Sequence, residues 1–245
     1  MPDYRIPDPI AGVVEAMPTA IWRANQMASS RMTTASTGFP KLDAELPGMG
    51  WPRSSLIELL VQQHGIGEMQ LLARTLAPIS QRRKIALVHP PHTPQAMACD
   101  PWGVRSDNLI WIKTDRSADA LWTTEQLLST GDGVGALILW QFQVRADSLR
   151  RLNLAAQAAD TYFWVVRPLA ARADPSPAPL RLALRPAHAG IVVEITKRRG
   201  PSLDEPMYLA LPGMPTSPVI EIDHAVLDRR TPATDTARSA APLLV

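Results

Sequence analysis

The stretch at residues 36–60, STGFPKLDAELPGMGWPRSSLIELL, limits the folds open to this chain more than any other. A Thr-Gly turn, a Leu42-Asp43 pair and a Gly-rich bend lead into a short apolar strand at 56–60, then into Val61-Gln-Gln-His-Gly-Ile-Gly-Glu-Met69. A strand that delivers a glycine-containing loop to the start of a helix is the frame of a phosphate-binding loop. A working loop of the form GxxxxGK[ST] needs glycines so that backbone N–H groups wrap the phosphates, a lysine to meet their charge and a hydroxyl to hold magnesium. Here Gly65 and Gly67 are in place, but Gly67 is followed by Glu68 and Met69. The cation has become an anion and the hydroxyl a thioether, and a carboxylate at that point repels a triphosphate. The residues predict a scaffold that keeps the architecture of a nucleotide-binding protein without its chemistry.

Beyond the loop, strand and helix signals alternate. Helix is expected over 67–81, a second strand over 84–89, the start of a helix over 95–99 that Asp100-Pro101 breaks, and a third strand over 108–112. An amphipathic repeat covers 117–129, and 136–140 is a continuous apolar run suited to a strand covered on both faces. Helix then strand follow at 147–159 and 161–167. The alternation predicts an α/β fold with a mainly parallel sheet and helical crossovers. A Pro- and Ala-rich stretch leads to 180–185, where apolar and basic residues alternate as in an edge strand. Two further strands are expected at 191–196 and 206–211, joined by the basic segment that starts at Lys197-Arg198-Arg199. Residues 1–35 read as an N-terminal arm with a short helix over 20–27, residues 36–222 as the α/β domain and residues 223–245 as a flexible tail.

The 245 residues suit one such domain with extensions, and 46% hydrophobic with 20% charged residues is globular usage. Net charge is +2, so contact with nucleic acid or anionic lipid would have to be local. Cys99 is the single cysteine, which excludes an internal disulfide and a multi-cysteine metal site. His89 and His92 lie close together in a prolyl segment with no third ligand at metal spacing, and they read as a surface loop. The N-terminus lacks the basic start and apolar core of a secretory signal, and no run approaches the ~20 apolar residues of a membrane span. A reducing, cytoplasmic setting without membrane contact is expected.

The 36–60 block resembles the segment that precedes the phosphate loop in bacterial RecA. It is more similar still to the ImuA family, RecA-like accessory proteins of the SOS-induced mutagenesis cassette that also encodes ImuB and an error-prone C-family DNA polymerase. The LPGMGWP turn is also similar to SulA, the SOS inhibitor of cell division. The resemblance covers roughly residues 36–211 by order of elements, and the 36–60 block is its specific part. It implies a RecA-like α/β core, a mainly parallel central sheet flanked by helices, that is catalytically degenerate. Three of the four chemical positions of RecA-like enzymes are altered. The loop lysine is replaced by Glu68, or by Gly67 if the alignment shifts by one residue; the magnesium-binding acid at the end of its strand falls on Trp140, and the catalytic glutamate falls near Pro91. None of these can do the corresponding chemistry. The resemblance therefore implies no catalytic residue, no cofactor, no metal and no ATPase activity.

The fourth position keeps its charge. RecA carries a basic pair after a late strand that reaches the neighbouring subunit's nucleotide site, and Lys197, Arg198 and Arg199 occupy a similar place. They read either as a contact to DNA phosphates or a RecA protomer, or as a solvated hairpin turn. Trp140 reads as a filler of the space left by a nucleotide, with a partner anchor as the alternative, Trp51 as packing for its bend, Trp122 as a residue of the core face of its helix, and Trp22 as a partner contact. The family implies RecA and an ImuB-like inactive Y-family polymerase as partners, the error-prone C-family polymerase as an indirect one, and contact with DNA as possible. The expected role is an adaptor in translesion synthesis at damaged DNA. A SulA-like inhibitor binding FtsZ, a cryptic RecA-like ATPase and a free-standing DNA-binding module stay open as alternatives.

Overall fold

The computed structural model describes residues 33–130, 133–201 and 205–211. The arm helix expected at 20–27 with Trp22, and the tail expected at 223–245, lie outside the described residues. The chain begins with β1 (Thr34–Ala35), α1 (Pro40–Glu45), β2 (Trp51–Pro52) and β3 (Ser55–Val61), followed by α2 (Glu68–Ser80) and β4 (Lys84–Val88). A short helix α3 (Ala96–Cys99) runs into a 3-10 turn at Asp100–Trp102, and then come β5 (Leu109–Ile112), α4 (Ser117–Thr130), β6 (Val134–Trp140), α5 (Ala146–Ala158) and β7 (Tyr162–Pro168). After a 3-10 turn at Leu169–Ala173 the chain ends in β8 (Leu180–Ala187), β9 (Gly190–Lys197) and β10 (Met207–Ala210).

The fold is α/β, with one large and mostly parallel central sheet flanked by helices. Its eight strands lie in the order β10-β9-β8-β3-β7-β6-β4-β5. The run from β8 to β5 is parallel, with β9 and β10 added antiparallel at one side. Every residue of β3 and β6 is buried, as apolar runs covered on both faces require. Alternate residues divide between two cores. Ile57, Leu59, Ile138, Trp164 and Val166 meet Leu71, Leu72 and Leu76 of α2 on one face. Leu56, Leu137, Leu139, Phe163 and Val165 meet Ala120 and Leu128 of α4 and Leu149 and Leu152 of α5 on the other. The period of two along the strands thus feeds both layers of helices.

The run-in before β3 is held by Asp43, whose carboxylate accepts from the Ser36 hydroxyl at 2.6 Å and from the Thr37 N–H at 2.8 Å. Gly38 has φ +79°, and a Cβ there would lie 2.3 Å from Cδ of Arg74, so only glycine fits this turn. Trp51 packs its bend as expected, fully buried with its ring edge-on to Trp164 at 6.0 Å.

Two expectations are corrected. The 180–185 stretch is an interior strand, parallel to β3 and antiparallel to β9. Its Arg181 is buried because Glu58, directly opposite on β3, neutralises it, so the basic alternation marks an internal ion pair where an edge facing solvent was predicted. Trp122 is 62% exposed. The buried stripe of α4 is Ala120, Thr124 and Leu128, and a residue two positions after Ala120 points away from it.

Candidate functional site

At the carboxyl ends of the parallel strands, where open α/β sheets place their ligand crevices, lies a cavity of about 300 Å³. The structure brings together around it the loop and strand-end residues singled out in the sequence: Gly65, Gly67, Glu68 and Met69 from the loop after β3, Pro91 after β4 and Trp140 at the end of β6. Residues as distant in sequence as Gly65 and Trp140 converge because β3, β6 and β4 lie in one sheet, run parallel and end on the same side.

Two glycines turn the loop. Gly65 has φ +81° and Gly67 φ +116°, conformations that glycine adopts without the cost a side chain would add. The Gly65 N–H donates to the carboxylate of Glu68, at 2.9 Å to Oε1 and 3.1 Å to Oε2. Glu68 is the first residue of α2 and 3% exposed, so its charge also meets the positive end of the helix dipole. The protein therefore supplies its own carboxylate to a backbone donor of the loop.

The rest of the cavity is mostly apolar. Trp140 is 3% exposed, and its indole N–H is buried without a hydrogen-bond partner among the described residues. Leu76, Leu87, Cys99 and Trp102 complete the wall. Burial, with Asp100 beside it, raises the Cys99 thiol above its ordinary pKa and keeps it protonated. His64, within the loop, packs edge-on to Phe142 with ring centroids 4.9 Å apart. Burial lowers its pKa, Glu68 pushes the other way, and His92 adds to the lowering. The ring is neutral at pH 7.

The basic segment after β9 is tied into the fold. The Arg198 side chain, 7% exposed, ion-pairs with Glu45 at 2.8 Å, donates to the Glu45 carbonyl and donates through Nε to Pro201 O at 2.7 Å. Lys197 Nζ donates to Ser176 O at 2.8 Å. The solvated-turn reading fails for Arg198, because its guanidinium joins the end of α1 to the hairpin. Lys197 and Arg199 are exposed.

A buried ionic network, absent from the sequence expectations, joins β3, β7 and β8. Glu58, 0% exposed, places Oε1 3.1 Å from Nη1 of Arg167 and Oε2 2.5 Å from Nε of Arg181. Arg167 continues to Asp174 at 2.8 Å, and Arg181 Nη2 donates to Ala171 O at 2.7 Å. The signal was available: a glutamate within the apolar run LIELL needs a buried cation. Cys99 and Trp102 gave no such signal, since neither belongs to a motif.

Among the described residues no helix is long and apolar enough to cross a membrane, and no group of three His, Cys, Asp or Glu side chains is placed to hold a metal ion. No family model and no characterised protein sequence matches the chain.

Proposed function

We propose that this chain is a non-catalytic RecA-like accessory protein of the ImuA kind. It acts as an adaptor that connects RecA, an ImuB-like protein and, through it, an error-prone polymerase during SOS-induced translesion synthesis. The observation that carries the non-catalytic part is the Glu68 carboxylate on the Gly65 N–H. A loop donor that would meet a phosphate is engaged by a fixed anion, and a second anion entering the same cradle would be repelled. An indole at the end of β6 and a proline after β4 supply neither a magnesium ligand nor a base to orient water. The partner assignment rests on the resemblance of the 36–60 block. The parallel sheet with the loop strand β3 in its interior supports the RecA-like reading of the fold.

In this reading the protein works by surface complementarity. A protomer-shaped domain caps or joins a RecA filament and presents a second face to the polymerase complex. The test is a pull-down of the folded, full-length chain against RecA and against an ImuB-like protein, with calorimetry against magnesium-ATP alongside. Retention of either partner with no heat from nucleotide is expected. Loss of both interactions sinks the adaptor, and turnover of ATP sinks the non-catalytic assignment.

A further inference from the structure

The amino ends of the parallel strands carry a second concave feature, on the opposite side of the sheet from the loop cavity. It is a trough of about 400 Å³ lined by Arg53, Arg74, Arg82 and Arg83, with Ala35, Pro78 and Ile79 among its apolar walls. The four guanidiniums come from the segment before β3, from α2 and from the turn before β4. Asp160 at the rim bridges two of them, at 2.7 Å to Arg53 and 3.1 Å to Arg83. The nearby Asp43 is engaged by Ser36 and Thr37.

Much donor capacity is left over. The Arg82 side chain is exposed and makes no hydrogen bond or ion pair with the described residues. Arg74 lies over the Phe39 ring at 4.8 Å and donates one Nη1 hydrogen bond to Gly38 O, which orients its guanidinium without neutralising it. Positive charge is in excess, and its planar forks match oxyanions of the carboxylate type.

We propose that this trough docks an acidic peptide segment of a partner protein, with carboxylates on the arginines and apolar side chains against Ala35, Pro78 and Ile79. One observation favours a peptide over single-stranded nucleic acid. Sequence-tolerant binding of single strands uses exposed aromatic faces on which bases stack, and the trough offers none. Its one lining aromatic, Tyr162, is buried beneath the Arg53 guanidinium at 5.1 Å.

The test uses the full chain and a fluorescein-labelled dodecapeptide alternating acidic residues with Leu and Ala, read by anisotropy. Saturable binding is expected, weakened by salt and absent for the same peptide with Asn and Gln in place of Asp and Glu. Arg82→Glu, at an exposed position, is expected to weaken it by about tenfold or more; Arg74→Gln is the second variant, and thermal melting verifies that both remain folded. Absence of saturable binding, or unchanged affinity in both variants, overturns the proposal. So does a thymidine dodecanucleotide that binds more tightly with the same arginine dependence, since that result makes the trough a nucleic-acid surface. None of these outcomes depends on binding to RecA or an ImuB-like protein.

Discussion

Glu68 holds the N–H of Gly65 with both carboxylate oxygens, at 2.9 and 3.1 Å, across a loop closed by two residues of positive φ. The loop is thereby satisfied from within. A hydrogen bond to a charged acceptor contributes more than a neutral one, and this one lies at the amino end of a 13-residue helix whose dipole favours the same sign.

Glu68→Ala is expected to lower stability by about 1–2 kcal/mol, since it removes a charge-assisted hydrogen bond and a favourable dipole contact. Glu68→Gln, which keeps an acceptor, should lose less. Urea unfolding of the two variants beside the parent chain gives both numbers, and no loss in Glu68→Gln would mean that the carboxylate's charge contributes nothing.

Glu58→Ala is expected to be far more damaging, at about 3–5 kcal/mol, because Arg167 and Arg181 are left as buried charges without their shared counter-ion. Thermal melting detects it directly. A loss below that of Glu68→Ala would show that the network is dispensable.

His64 gives a defined pH response. Its folded pKa lies below the ordinary value near 6.5, chiefly through burial. The unfolded chain therefore binds more protons between the two values, and stability falls as pH drops through that window. Above 6.5 the ring is neutral in both states and the effect vanishes. The comparison is the difference in urea midpoint between pH 7.5 and pH 5.5 for the parent chain and for His64→Gln, and the parent should lose more.

Cys99 is expected to alkylate slowly. Burial first and Asp100 second hold its thiol above the ordinary range, and the thiolate is the nucleophile. At pH 8 iodoacetamide should modify it at least about tenfold more slowly than free cysteine, with urea restoring the rate. The raised pKa also means that stability is fully present below the unfolded thiol's pKa and declines as pH rises beyond it. Rapid modification of the folded chain would contradict the cavity wall as described.

The order of strands and helices was readable from the chain because hydrophobic period and glycine placement are properties of neighbouring residues. Strands at 56–60, 84–89 and 136–140 appear as β3, β4 and β6 within two residues of their expected ends. That Glu68 and Met69, not a lysine and a hydroxyl, follow Gly67 is likewise readable from the chain, because those positions are consecutive. The misreadings share a cause. Apolar character alone places Trp122 in the core, and only the packing of α4 against the sheet shows that Ala120, Thr124 and Leu128 face inward.

Arg181 shows the boundary most clearly. Its alternation with leucines predicts a solvent-facing edge, yet it binds a glutamate 123 residues earlier in the chain. Sheet order decides that pairing, and a contact at such separation leaves no local period to read. The gathering of Arg53, Arg74, Arg82 and Arg83 around one trough, and of Cys99 and Trp102 around the loop cavity, has the same origin. Local chemistry chose the elements and placed an acid after the loop glycines; the long-range burial of apolar faces chose which distant charges would meet.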